Sequence, residues 1–366
     1  MKRAINFSLL FYVALVVAIF FVGRNIIADA NAFIDEPMMF FIISIALGFV
    51  FNVVLFELGH MLGAKLGGYK TYSVSFLGVT IYKVKGKWQI GYDGTYDGFT
   101  GETKIVPHKE KTNPSLYFWM GSLLLVIEMV VTICLPSLMT LSPQLKYGAY
   151  IFAVIAGIIL IYNIVPFRLD STNDATLMKY VTKDKVDIFN KVCSIRYDLY
   201  LGNQIKEVEI LEDVDYVSAR INYYAYLEAI YKKDYEKAEA IIDSLIEQSE
   251  KLSEDIFLEL LPAKMYILTM TKTKEEVEKY FASLPANDRK LLNSCVSIEG
   301  CRNYFAFVAL IIEDYDDAKN IYRKYVSKKD KLKEVGRLFD EKSLISELMA
   351  KIKELHPEWD FTKTDI

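Results

Sequence analysis

The chain has 366 residues, 52% hydrophobic, 14% aromatic and 25% charged, with a formal net charge of −4 and a mean hydropathy of +0.19. So apolar a chain with that many charges divides into a membrane part and a soluble part. The acidic balance, with no concentrated basic stripe, argues against nucleic acid as a partner. The four cysteines, Cys134, Cys193, Cys295 and Cys301, have no C-x-x-C spacing, and so indicate neither a disulfide framework nor a structural zinc site.

Four apolar runs precede about Pro166: Phe7 to Gly23, Met38 to Ala64, Leu116 to Pro136 and Tyr147 to Pro166. Each is long enough to cross a bilayer core of about 30 Å at about 1.5 Å per residue. The first run follows Lys2 and Arg3, as a signal peptide would. Gly23-Arg24-Asn25 lacks the small-residue cleavage pattern, however, so the run reads as a retained span. Lys and Arg flank the start of the first run, the end of the second (Lys65, Lys70), the start of the third (Lys109, Lys111) and the end of the fourth (Arg168, Lys179). The positive-inside rule then gives a multi-pass integral protein with both termini cytoplasmic, as in the cytoplasmic membrane of a prokaryote.

The second run ends in FELGHMLGAKLGGY, Phe56 to Tyr69. In an H-E-x-x-H helix, histidines at i and i+4 share one face and hold zinc, and the glutamate between them is general base to a metal-bound water. Here Phe56 stands at the first ligand position, Glu57 at the base position and His60 at the second ligand position. A glutamate and a histidine near a helix end also fit a plain interfacial polar pair. Between the second and third runs, SVSFLGVTIYKV and KWQIGY, separated around Lys85-Gly86-Lys87, read as a hairpin. GYDGTYDGFTGETKIVP follows as turns and one more short strand, making a strand insert at about 70–107. The fourth run ends in NIVPFRLDSTNDA, Asn163 to Ala175.

These two segments, in this order and with small strands between them, resemble the site-2 protease family of intramembrane zinc metalloproteases over roughly the first 180 residues. The resemblance implies that Glu57 is the general base, that His60 and Asp174 are zinc ligands, and that Asn163 and Pro166 belong to the motif bordering the substrate cleft. Asp170 is the alternative carboxylate, since it follows Leu169; Asn173 favours Asp174, although Ala175 departs from the usual glycine. Phe56 removes the first ligand, and catalytic zinc takes three protein ligands and an open position. Without metal, Glu57 is expected to hydrogen-bond to His60 or Asp174. His108 is a conceivable replacement ligand, although lysines close by suit a solvated histidine. Glu128, a carboxyl in the third run, has no role under the resemblance.

From 181 to 366 the pattern is helical, with charged outer faces. A weak repeat follows the apolar helices NYYAYLEAIY, AKMYILTM and NYFAFVALII, with Ala238, Val277 and Ala318 as anchors 39 and 41 residues apart, a spacing suited to stacked helix pairs. This part resembles a degenerate tetratricopeptide array, and an ordinary helical bundle is the alternative. The expected fold is mainly α: a four-span helical bundle over residues 1–180 with a small sheet at the membrane surface, then a cytoplasmic helical domain. The expected function is that of a pseudoprotease, binding a transmembrane or membrane-adjacent protein segment, with a soluble protein partner on the helical domain. One alternative is an active zinc endopeptidase with a replaced ligand or with Phe56 as an inactivating substitution. The other is a membrane-anchored helical scaffold.

Overall fold

The computed structural model describes residues 36–361 apart from residues 85, 93–100 and 167–172, together with isolated positions between 13 and 34. The run from Phe7 to Gly23 lies largely outside the described residues, and Asp170 wholly so. Among the described residues, those through Asn190 belong to one compact unit and those from Lys191 to another.

In the first unit three helices are long and apolar enough to cross a membrane: α1 (Pro37–Leu66), α2 (Pro114–Leu138) and α3 (Pro143–Ile164). Each opens on a proline, whose missing N–H would have no partner in the first turn of a helix. The side chains of Asn113 and Ser142 cap α2 and α3 by accepting from the Ser115 and Leu145 amides. Small residues set how closely the helices approach. Gly59, Gly63 and the capping Gly67 recur every fourth position along α1 and at its end, and a Cβ on Gly59 would lie 2.6 Å from Gly121 Cα of α2. The two backbones therefore meet directly, as small-residue stripes allow between apolar helices. α3 closes the other side through a core of Val53, Phe56, Leu125, Ile151, Ile155, Ala156 and Ile159. The Asn52 amide crosses the same interface, donating to Phe152 O at 3.2 Å and to Gly48 O at 2.9 Å.

At Gly68 the backbone takes φ +85°, which glycine adopts without steric cost, and the chain turns from α1 straight into a sheet. Its strands are β1 (Tyr69–Phe76), β2 (Val79–Val84), β3 (Lys87–Tyr92) and β4 (Gly101–Pro107), in the order β3-β2-β1-β4, every neighbouring pair antiparallel. The stretch SVSFLGVTIYKV, read from sequence as one strand, is two. It breaks at Leu77-Gly78, where φ values of +51° and +84° suit a tight two-residue hairpin. The Gly68 carbonyl accepts from the His108 and Lys109 amides, and the Gly67 carbonyl from Asn113 N. The end of β4 and the start of α2 are thus tied to the end of α1. After α3 come α4 (Asp174–Tyr180) and α5 (Val186–Tyr200). Asn190 accepts from Tyr69 Oη at 2.8 Å and donates to Thr112 Oγ1 at 2.9 Å.

In the second unit consecutive helices pack in pairs: α6 (Ala219–Tyr231) with α7 (Tyr235–Glu247), and α8 (Glu254–Thr271) with α9 (Lys274–Ser283). After the short α10 (Ala286–Leu291), α11 (Ile298–Phe307) packs with α12 (Tyr315–Lys331). The second helix of each pair begins alike. Asp234, Thr273 and Asp314 cap α7, α9 and α12 with their side chains, and Ala238, Val277 and Ala318 are fully buried four residues on. α13 (Val335–Leu355) packs on α6 and α11. Between them lies a charged core. Arg302, wholly buried, donates to Glu341 and Asn303 with its guanidinium 4.6 Å from the centre of the Tyr266 ring. Arg337 pairs with Glu299 and Glu334.

Candidate functional site

The C-terminal half of α1 carries Phe56, Glu57 and His60, all within 5% of full burial. Three elements hold the two polar side chains. β4 crosses over Glu57: alternation turns Gly101, Thr103 and Ile105 inward, and Thr103 Oγ1 donates to Glu57 Oε2 at 2.6 Å. A Cβ on Gly101 would sit 2.7 Å from Glu57 Oε1, so a glycine in this strand marks a close approach. The expectation that Glu57 would hydrogen-bond to His60 or Asp174 is corrected here. Thr103 holds it, because the strand insert folds back onto the helix that precedes it.

α2 holds His60. The ring Nδ1 lies 2.8 Å from the Tyr117 carbonyl, and a carbonyl only accepts, so Nδ1 carries the proton and Nε2 is the atom presented to the site. The Tyr117 hydroxyl donates to the Thr103 carbonyl at 2.6 Å, which links the holders of Glu57 and His60.

α4 supplies the third group. Asn173 donates to the Tyr162 and Val165 carbonyls at the end of α3, both at 2.7 Å, and accepts from Thr176 N at 2.9 Å. One side chain therefore finishes α3 and starts α4, leaving Asp174 at the first helical position. Asp174 Oδ2 stands 3.3 Å from His60 Nε2.

Zinc can be tested against this donor set. With bonds of about 2.0 to 2.1 Å, two ligands of a tetrahedral zinc stand about 3.3 to 3.4 Å apart, so the His60 and Asp174 atoms have the separation of a ligand pair. Their neighbour is hydrocarbon. The Phe56 ring stands edge to face with His60, with centroids 4.5 Å apart and planes at 86°, and a Cβ on Gly121 would touch it at 2.8 Å. Among the described residues, no group of three or more His, Cys, Asp or Glu side chains is placed to hold a metal ion. Two donors and a phenyl ring among the described residues do not fit catalytic zinc, which takes three protein ligands. What the arrangement does provide is a buried polar cluster: Glu57 on Thr103, and His60 between Tyr117 and Asp174.

Of the other residues singled out in the sequence, Asn163 is buried near the end of α3 with its amide donating to Ile159 O at 2.9 Å. Pro166 is exposed just beyond that helix, and His108 is exposed where β4 leads toward α2. Thr103, Tyr117 and Gly121 were not singled out. The alternation of Gly101, Thr103 and Ile105 with Glu102, Lys104 and Val106 was the available signal for the first. Nothing in the sequence marks Tyr117, whose backbone carbonyl does the work. No family model, curated protein or solved structure matches this chain.

Proposed function

We propose that this chain is a site-2-protease-like intramembrane protein whose metal centre is incomplete, and that it binds or regulates membrane-protein segments. The observation that carries the reading is the meeting of Glu57, His60 and Asp174, from distant parts of the chain, around a phenyl ring in place of the third ligand. In this reading the run Phe7 to Gly23 is a fourth span and both termini are cytoplasmic. The partner is a transmembrane or membrane-adjacent protein segment. An extended piece of it adds to an edge of the sheet through backbone hydrogen bonds. β3 suits this, since among the described residues it has a strand on one side only, and Trp88, Ile90 and Tyr92 stand exposed along it. The paired helices from Lys191 on, read as a tetratricopeptide-like repeat, offer a surface to a soluble protein.

Metal analysis of the purified full chain tests the reading. The chain as it stands carries far less than one zinc, and Phe56→His raises it to about one per chain, because the new imidazole joins His60 and Asp174 to make three ligands. The gain disappears when His60→Ala is added. Stoichiometric zinc in the unaltered chain overturns the reading.

A second reading, an active zinc endopeptidase, draws on the 3.3 Å separation of His60 Nε2 and Asp174 Oδ2. It requires a third donor. Zinc bound by the unaltered chain and lost on His108→Ala would favour it.

A further inference from the structure

Deeper between α1 and α2 lies a second polar pair that the reading above does not use. The two helices touch at Gly59 and Gly121. Asn52 is seven residues before Gly59, and Glu128 is seven residues after Gly121. The register of the antiparallel helices carries both the same way, about 10 Å along, and seven residues return a helix to within about 20° of the same face. Asn52 and Glu128 are thus at one level, on the faces the two helices turn toward each other. Asn52 is wholly buried and Glu128 is 7% exposed.

Three oxygens of the pair have no hydrogen-bond partner: Asn52 Oδ1 and both carboxylate oxygens of Glu128. The orientation of the Asn52 amide is fixed, since its Nδ2 faces two carbonyls, Gly48 O and Phe152 O. The unpartnered atoms are therefore all acceptors, and what they lack is a donor or a positive charge. No donor reaches these atoms, since Thr132, a turn beyond Glu128, gives its hydroxyl to the Glu128 and Met129 carbonyls, and the described residues of the three helices carry no positive charge near them. α1 has no ionisable residue from Pro37 to Phe56, and its nearest are Glu57 and His60, one to two turns toward the other cluster. α2 adds only Tyr117, committed to Thr103, and the exposed Cys134. α3 has none between Tyr150 and Tyr162. A charged carboxylate in such surroundings needs a partner.

We propose that Asn52 and Glu128 form a cation site between α1 and α2, whose three acceptor oxygens take a small monovalent cation, either sodium or a proton. The proposal is independent of the fate of the Phe56 cluster.

Thermal unfolding of the full chain in detergent, followed by circular dichroism, tests it and separates the two cations. For sodium, exchanging N-methylglucamine chloride for sodium chloride at fixed pH raises the midpoint of the unaltered chain by about 5 °C and leaves that of Glu128→Gln unmoved. For a proton, sodium has no effect. The midpoint of the unaltered chain then depends on pH differently from that of Glu128→Gln, and the difference belongs to Glu128 because every other titrating group is common to the two chains. Asn52→Ala keeps the carboxylate and removes one oxygen, so it weakens whichever response is found, and it decides the matter should Glu128→Gln fail to fold. Equal sodium and pH responses in the unaltered chain and the variants overturn the site.

Discussion

Thr103 illustrates how much of the polar cluster depends on one hydroxyl. With Oγ1 donating to Glu57 at 2.6 Å in a buried setting, Thr103→Val keeps the shape and leaves the carboxyl without a donor. The expected cost is about 1 to 3 kcal/mol, read as a lower unfolding midpoint in detergent. Adding Glu57→Leu to that variant should recover part of the loss, because both partners are then apolar. In the second unit Arg302 is the comparable case. Arg302→Ala strands Glu341, which is wholly buried, and breaking such a pair costs about 3 to 5 kcal/mol. Chemical unfolding monitored by circular dichroism measures it, and Arg302→Ala paired with Glu341→Ala should cost less than Arg302→Ala alone.

At the scale of elements, the β1–β2 turn holds a residue that is not suited to it. Leu77 takes φ +51°, a conformation costing a leucine roughly 1 to 2 kcal/mol and tolerated better by asparagine. Leu77→Asn creates the Asn-Gly pair that such hairpins prefer, and should raise the unfolding midpoint, since Leu77 is exposed and little packing is lost. The same residue explains why the break was illegible in the sequence: Gly78 is the turn's one turn-forming residue, Leu77 hides it within an apolar run, and the pairing of Ser75 with Thr80 and Phe76 with Val79 sets the register. The long helices were legible for the opposite reason. Runs such as Met38 to Ala64 state their length and apolarity directly, and α1, α2 and α3 follow three of the four. Likewise Glu57, His60 and Asp174 could be picked out as a motif, but their holders could not, because Thr103 lies on an ordinary-looking strand and Tyr117 acts through its backbone.

At the scale of the whole molecule, the charged core makes the stability of the unit from Lys191 on depend on pH. Burial pushes the Glu259 carboxyl up to about 7, aided by the charge of Glu299 and opposed by Ser297. Burial likewise raises Glu341 to about 7, against the pull of Arg302. Carboxyls raised on folding bind protons more tightly in the folded state, so stability falls as pH rises from about 4.5 to about 7. Burial also acts upward on Glu299, but the Arg337 guanidinium outweighs it and holds the group below its ordinary range; that contribution is lost only at more acid pH. The helical signal should therefore melt at higher temperature near pH 5 than near pH 8, and a melting point that rises over that interval would contradict the assignment. Asn173 has a consequence of another kind, in the order of biosynthesis. Its amide engages the Tyr162 and Val165 carbonyls, so Asp174 is fixed only after the end of α3 has been synthesised and folded. His60, made more than one hundred residues earlier, waits for its partner until that helix is complete. The cluster is completed last: a chain released at Pro166 has the residues to hold Glu57 on Thr103 and His60 on Tyr117 but lacks Asp174.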